Sequence, residues 1–177
     1  DTGVDDKTVK NYYSILEDTL LGFYLYPFKN SFRKRISSKA KFYLFDTGIQ
    51  RHLSQQASIP LVARSSDYGK LFEQWIVNEC FKLNDYCETD FRFYYLRTKE
   101  GAELDLIVQR PGNKRILIEI KSTDSVLERH LSHLRSLGND IEHEERWVIC
   151  TEAEARKTDD GIRILPWRRG LKELFGS

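Results

Sequence analysis

Between Gly101 and Lys121, apolar and polar positions alternate along two arms separated by Pro111-Gly112-Asn113. That is the pattern of two strands joined by a tight turn. With a three-residue loop, residue 111 − n faces residue 113 + n across the ladder. Asp105 then opposes Glu119, and Glu103 opposes Lys121, all four on one face because i and i+2 point the same way along a strand. Leu104, Leu106, Val108, Ile116, Ile118 and Ile120 fall on the opposite face, which reads as core.

Elsewhere the period is helical. Asp67 to Leu83 predicts a helix with Ser65, Ser66 or Asp67 as N-cap, a polar side of Lys70, Gln74, Asn78 and Lys82, and an apolar stripe of Ile76, Val77 and Cys80. Residues 125–138 predict a second helix with Leu127, Leu131, Leu134 and Leu137 as its buried face. Residues 91–97, 145–151 and 161–165 read as strands, and a short helix ends the chain. The first segment predicts a helix from Val4 to Leu21 with a stripe of Val9, Tyr13, Leu16 and Leu20, ended by Gly22. Strands at 23–28 and 41–45 follow, joined by a basic connection carrying Lys29, Arg33, Lys34, Arg35 and Lys39. Asp46 begins a further short helix, and Gln55 to Ser66 is a polar linker. The chain therefore divides into residues 1–58 and residues 67–177, the second an α/β unit with a central sheet covered by helices.

Opposed carboxylates repel, so the charged face of the hairpin calls for compensation. Lys121 supplies part of it. A divalent cation supplies more, since Mg2+ takes oxygen ligands and is held by one or two carboxylates with waters and phosphate. Otherwise the face is a solvated one with cross-strand ion pairs. Glu73 poses the same question, because it lies on the apolar stripe of its helix, where an unpaired carboxylate is costly. Either a nearby Lys or Arg neutralises it, or it points at the hairpin and completes an acidic, metal-binding cluster.

Composition narrows the picture only slightly. With 177 residues, 40% hydrophobic, ten Phe and nine Tyr, the chain can build a core. A net charge of +1 places any nucleic-acid affinity in local patches rather than in bulk charge. Cys80, Cys87 and Cys150 have no paired spacing, which with the lack of a leader suits a reducing cytoplasm. No apolar run is long enough to cross a membrane. The polar start without an initiator Met reads as a fragment of a longer protein. Gly69-Lys70 is not a phosphate loop, because Arg64 and Leu71 stand where Gly and Ser or Thr are needed. His130, His133 and His143 have no acidic or Cys partner at metal spacing and read as surface residues.

A helix bearing Glu73, a strand bearing Asp105 and the run Glu119-Ile120-Lys121 together resemble the PD-(D/E)XK nuclease fold, a restriction-endonuclease-like mixed sheet flanked by helices. Lys41-Phe-Tyr-Leu-Phe-Asp-Thr-Gly-Ile49, Gly69-Lys-Leu-Phe-Glu73 and Tyr94 to Asp105 are similar to the C-terminal region of prokaryotic P-loop (AAA-type) ATPases of uncharacterised function. Helix, strand, basic loop and strand in residues 1–58 resemble the second half of a winged helix. These resemblances imply a metal-dependent nuclease active on DNA, with Mg2+ replaceable by Mn2+, and an ATPase module upstream in the same polypeptide. They assign Glu73, Asp105, Glu119 and Lys121 to catalysis and Asp105, Glu119 and the Ile120 carbonyl to the metal. The alternative is an inert nuclease-like module that docks DNA or protein for the ATPase. Arg33, Lys34, Arg35 and Lys39 are the candidate phosphate contacts, with Arg168 and Arg169 as a second basic site.

Overall fold

The computed structural model describes Gly3, residues 5–29 and residues 39–176. Its elements run α1 (Asp6–Asp18), β1 (Gly22–Pro27), β2 (Lys41–Leu44), α2 (Thr47–Leu53), α3 (Ser66–Tyr86), β3 (Arg92–Arg97), β4 (Glu103–Gln109), β5 (Arg115–Ile120), α4 (Ser132–Gly138), β6 (Glu145–Cys150), β7 (Arg156–Lys157), β8 (Arg163–Pro166) and α5 (Trp167–Phe175). The described strands form one mixed sheet of eight in the order β2-β1-β3-β4-β5-β6-β8-β7. β5, β6 and β8 are parallel neighbours, while β3, β4 and β5 run antiparallel.

Both faces of the centre are covered, and β5 and β6 divide their side chains between them. Ile116, Ile118, Trp147 and Ile149 pack under Ile76, Val77 and Cys80 of α3 and Leu171 and Leu174 of α5. Leu117, Val148 and Cys150 face Leu134 and Leu137 of α4 on the other side. Period-2 alternation with both sets apolar is what a sheet sandwiched between helix layers requires. At β4 the alternation breaks. Leu104 joins the α4 layer, whereas Leu106 and Val108 join the α3 layer. The expected single face running through Leu104, Leu106 and Val108 is therefore split at Asp105.

The N-terminal segment, expected as part of a winged helix, has its predicted order of helix, strand and strand. Its sheet does not stop there: β1 pairs antiparallel with β2 and parallel with β3 through Tyr26–Tyr94 and Pro27–Tyr95. Residues 54–65 carry no helix or strand. The α1 stripe is not a buried one. No residue of α1 is buried, and the helix rests on the hairpin through Tyr13 against Phe42, with ring centroids 4.7 Å apart.

The cap of α3 is Ser65, whose side chain accepts from the Tyr68 N–H. The polar side expected for this helix is half wrong. Gln74 and Asn78 are buried and donate to the carbonyls of Leu44 and Phe45 at the end of β2. The predicted 125–138 helix is instead a 3-10 turn, Glu128–Leu131, followed by the short α4, and Leu127 is exposed.

Candidate acidic cleft

The hairpin forms in the register its turn predicts. Leu106 pairs with Ile118, Val108 with Ile116 and Gln109 with Arg115, and Gly112 and Asn113 take positive φ at the tip. The ladder ends at Leu106–Ile118, one pair short of Asp105 and Glu119. Continued, it would direct the Ile120 N–H to the carbonyl of Leu104. Instead that N–H donates to Asp105 Oδ2 at 2.7 Å. The Asp105 carboxylate is thus wedged between the two strands at the point where the core faces exchange.

Glu119 and Lys121 complete the hairpin's contribution. Lys121 Nζ lies 2.6 Å from Glu119 and 3.9 Å from Asp105. Burial lowers the affinity of Lys121 for its proton, but Asp105 and Glu119 more than offset this and hold it protonated. Burial pushes the carboxyls of Asp105 and Glu119 upward, and the negative charges of Glu119 and Glu73 push Asp105 further. Glu119 is 2% exposed, and its Oε2 is buried without a hydrogen-bond partner among the described residues. A carboxylate oxygen left so in a protein interior is costly and calls for a donor or a cation.

Glu73 arrives from α3, at the end of the stripe formed by Ile76, Val77 and Cys80, where the core opens into a cleft. It does point at the hairpin, and it is also neutralised. Lys41 Nζ from β2 sits 3.1 Å from Glu73 Oε1 and ion-pairs with Glu103 of β4. Tyr43, two residues along the same strand, donates its hydroxyl to Glu73 Oε1 at 3.2 Å. Lys41 also lies over the Tyr95 ring, 5.0 Å from its centroid. One oxygen each from Glu73, Glu103 and Asp105 lie within 4.8 Å of one another. This set of hard oxygen donors, with Glu119 on the wall of the same cleft, fits a divalent cation such as Mg2+ or Mn2+.

Glu73, Asp105, Glu119 and Lys121 therefore converge, from α3, β4 and the end of β5, on one cleft of about 600 Å³. Arg97, Lys70 and the exposed His133 lie around them on its wall. Ile120, expected to offer a carbonyl, contributes its N–H to Asp105, and its side chain belongs to the core. Glu103 stands in the cluster as well as in ion pairs. Lys41 and Tyr43 were not among the predicted site residues. Their signal was a Lys-x-Tyr pair on a strand, which places both side chains on one face, but nothing local says which face meets α3. Arg33, Lys34 and Arg35 lie outside the described residues, and Lys39 is exposed just before β2.

An α/β domain with a lysine-closed acidic cleft is the class that this fold and site define. The chain belongs to the family described as Domain of unknown function (DUF4143), which it matches over residues 68–169, and such domains are often found in AAA ATPases. Residues 1–59 match a second family, Domain of unknown function (DUF8612). No curated protein matches the sequence. Among solved structures, similarity extends to a chain of the refined half-complex from the tetradecameric assembly of Thermococcus gammatolerans McrB AAA+ hexamers with bound McrC. The identity is 13% and the TM-score 0.40, covering 55% of this chain and 27% of that one. This chain spans about a quarter of that chain's length, and at that score the likeness carries no argument. Among the described residues, no helix is long and apolar enough to cross a membrane.

Proposed function

We propose that the cleft is a PD-(D/E)XK-type nuclease site that hydrolyses phosphodiester bonds in DNA, carried at the C-terminal end of a prokaryotic AAA-type ATPase whose motor module lies upstream in the same polypeptide. One observation carries this reading. Glu73, Asp105, Glu119 and Lys121 meet in a single cleft, with a buried Glu119 oxygen that no donor among the described residues satisfies. The cation would be held by Asp105 and Glu119, with Glu73 and Glu103 beside them and the Ile120 carbonyl as a further candidate. When bound, Mg2+ or Mn2+ supplies charge neutralisation at the phosphate and a more acidic water.

The chain's own residues divide the remaining work. Lys121 is held protonated by two carboxylates, so it serves as a charged donor toward the developing oxyanion rather than as a base. The Ile120 N–H fixes one Asp105 oxygen and leaves the other for the cleft. Arg97 and Lys70 give the cleft wall positive charge for the phosphates on either side of the scissile bond. Arg33, Lys34, Arg35 and Lys39 are candidate contacts for further phosphates, and a winged-helix-like N-terminal segment would hold the duplex.

The test is Mn2+-dependent nicking of supercoiled plasmid by this chain, with Asp105→Asn and Lys121→Met as controls. Cleavage lost in both variants supports the reading, and no ion binding at millimolar Mn2+ overturns it. The seating of Lys41 between Glu73 and Glu103 favours a second reading, an inert module that docks DNA or protein for the ATPase. On that reading the wild-type chain binds its partner with the same affinity with or without Mn2+ and cleaves nothing.

A further inference from the structure

We propose that Lys41 is a tethered cation that occupies the Glu73–Glu103 side of the divalent-ion position of this cleft, so that an ion reaching from Asp105 to these carboxylates loads only when the β2 end of the edge hairpin releases its ammonium. The inference rests on the reading that the carboxylate cluster takes a divalent cation. Its evidence is where the ammonium lies. Glu73 and Glu103 are two of the three carboxylates whose oxygens gather within 4.8 Å, and Lys41 Nζ contacts both. An ammonium at that point and a metal ion coordinated by the same oxygens exclude one another. The second observation is independent of the cluster: Glu119 lines the same cleft, and its buried Oε2 has no hydrogen-bond partner among the described residues even with Lys41 and Lys121 in place.

The tether is long-range. Among the described strands, Lys41 belongs to the edge strand β2 of four residues, whose neighbour β1 joins β3 through two residue pairs. Movement of this hairpin would carry Lys41 and Tyr43 out together, because both contact Glu73 from the same face of β2. The released lysine, with Lys70 and Arg97 nearby, would then meet the substrate phosphates instead of the carboxylates.

The experiment is Mn2+ binding, followed by the loss of the free-ion electron paramagnetic resonance signal, for wild type, Lys41→Met and Lys41→Arg, each checked for folding by circular dichroism. Lys41→Met keeps the apolar stem and removes the charge. It should bind Mn2+ roughly ten-fold or more tightly than wild type, because a competing positive charge next to the ion has gone. In EDTA it should melt below wild type, and Mn2+ should raise its melting temperature by more. Lys41→Arg should bind no better than wild type. Wild type binding Mn2+ as tightly as Lys41→Met would overturn the tether and leave the metal reading intact. Binding by neither protein would overturn both. Should Lys41→Met fail to fold, the lysine ε-methylene resonances of wild type give the answer during Mg2+ titration. The Lys41 signal must shift in step with ion binding, and an unmoved signal in the loaded protein overturns the proposal.

Discussion

Asp105→Asn should stabilise the metal-free protein while weakening its hold on a divalent ion, against the usual rule that buried polar residues resist substitution. At an effective dielectric near 20, a like charge within 4.8 Å, such as Glu73, costs an ionised Asp105 about 3–4 kcal/mol, and Glu119 adds a repulsion of similar order. Lys121 at 3.9 Å returns about 4 kcal/mol, and the charged acceptor for the Ile120 N–H adds about 1 kcal/mol over a neutral one. Desolvation, the leading cause of the upward shift of Asp105, then tips the balance against the ionised form. Asparagine keeps an acceptor for Ile120 and removes the charge, for a net gain on the order of 1 kcal/mol, or about 2–4 °C in a chain of this size. The sign with pH follows from the raised carboxyl. Its contribution to stability is full below the unfolded value near 3.8 and is lost as pH rises through the elevated folded value. The melting difference, variant minus wild type, should therefore be smallest in acid and grow toward pH 8. Calorimetric scans in EDTA between pH 5 and 8 measure it. A variant melting several degrees below wild type at pH 8 would refute the reasoning and make Asp105 a structural anchor for Ile120.

Three further outcomes follow from the packing and the surface. Gln74→Leu and Asn78→Leu should each cost about 1 kcal/mol in urea unfolding, because the other amide still serves Leu44, and the double variant should cost more than the sum; simple additivity would show that the two amides act separately. Gly22→Ala should destabilise by about 1–3 kcal/mol, since a Cβ there meets the Tyr43 carbonyl at 2.5 Å and the Phe42 ring at 2.6 Å, and an unchanged melting temperature would mean the hairpin yields freely. Neutralising Arg33, Lys34, Arg35 and Lys39 together should flatten the salt dependence of duplex binding, whose slope is about −0.9 per contacted phosphate; an unchanged slope moves the contact elsewhere, toward Arg168 and Arg169.

The hairpin carrying Asp105 was legible because its information is local. Alternation fixes the faces, Pro111-Gly112-Asn113 fixes the loop, and the loop fixes the register. The start of α3 was legible for the same reason, with Ser65 among three candidate caps, while the helix runs three residues beyond its expected end to Tyr86. What failed depended on partners distant in sequence. Gln74 and Asn78 look like a solvated helix face until the Leu44 and Phe45 carbonyls at the end of β2 are brought against them. The α1 stripe looks buried until the helix is found resting on the outer rings of the β1–β2 hairpin. Leu104 and Leu106 look like one face until the carboxylate between them displaces the ladder.

Lys41 shows why the site itself was only half readable. In the order β2-β1-β3-β4, three strand steps separate it from Glu103, about 14 Å across a flat sheet. Side chains standing perpendicular to a flat sheet would not meet across that distance, yet these two form an ion pair. The sheet must therefore curl over the cleft, and two features supply the curl: the irregularity between Tyr94 and Leu96 in the β3–β4 pairing, and the two-pair junction of β1 with β3. The Tyr95 ring sits beneath the crossing ammonium, on the strand between the two ends of the bridge. The carboxylates of the cleft belong to α3 and a local hairpin, whereas the charge that closes them is placed by sheet curvature. That separation lets one part of the fold hold the acidic groups together at close range while another part supplies a removable counter-charge.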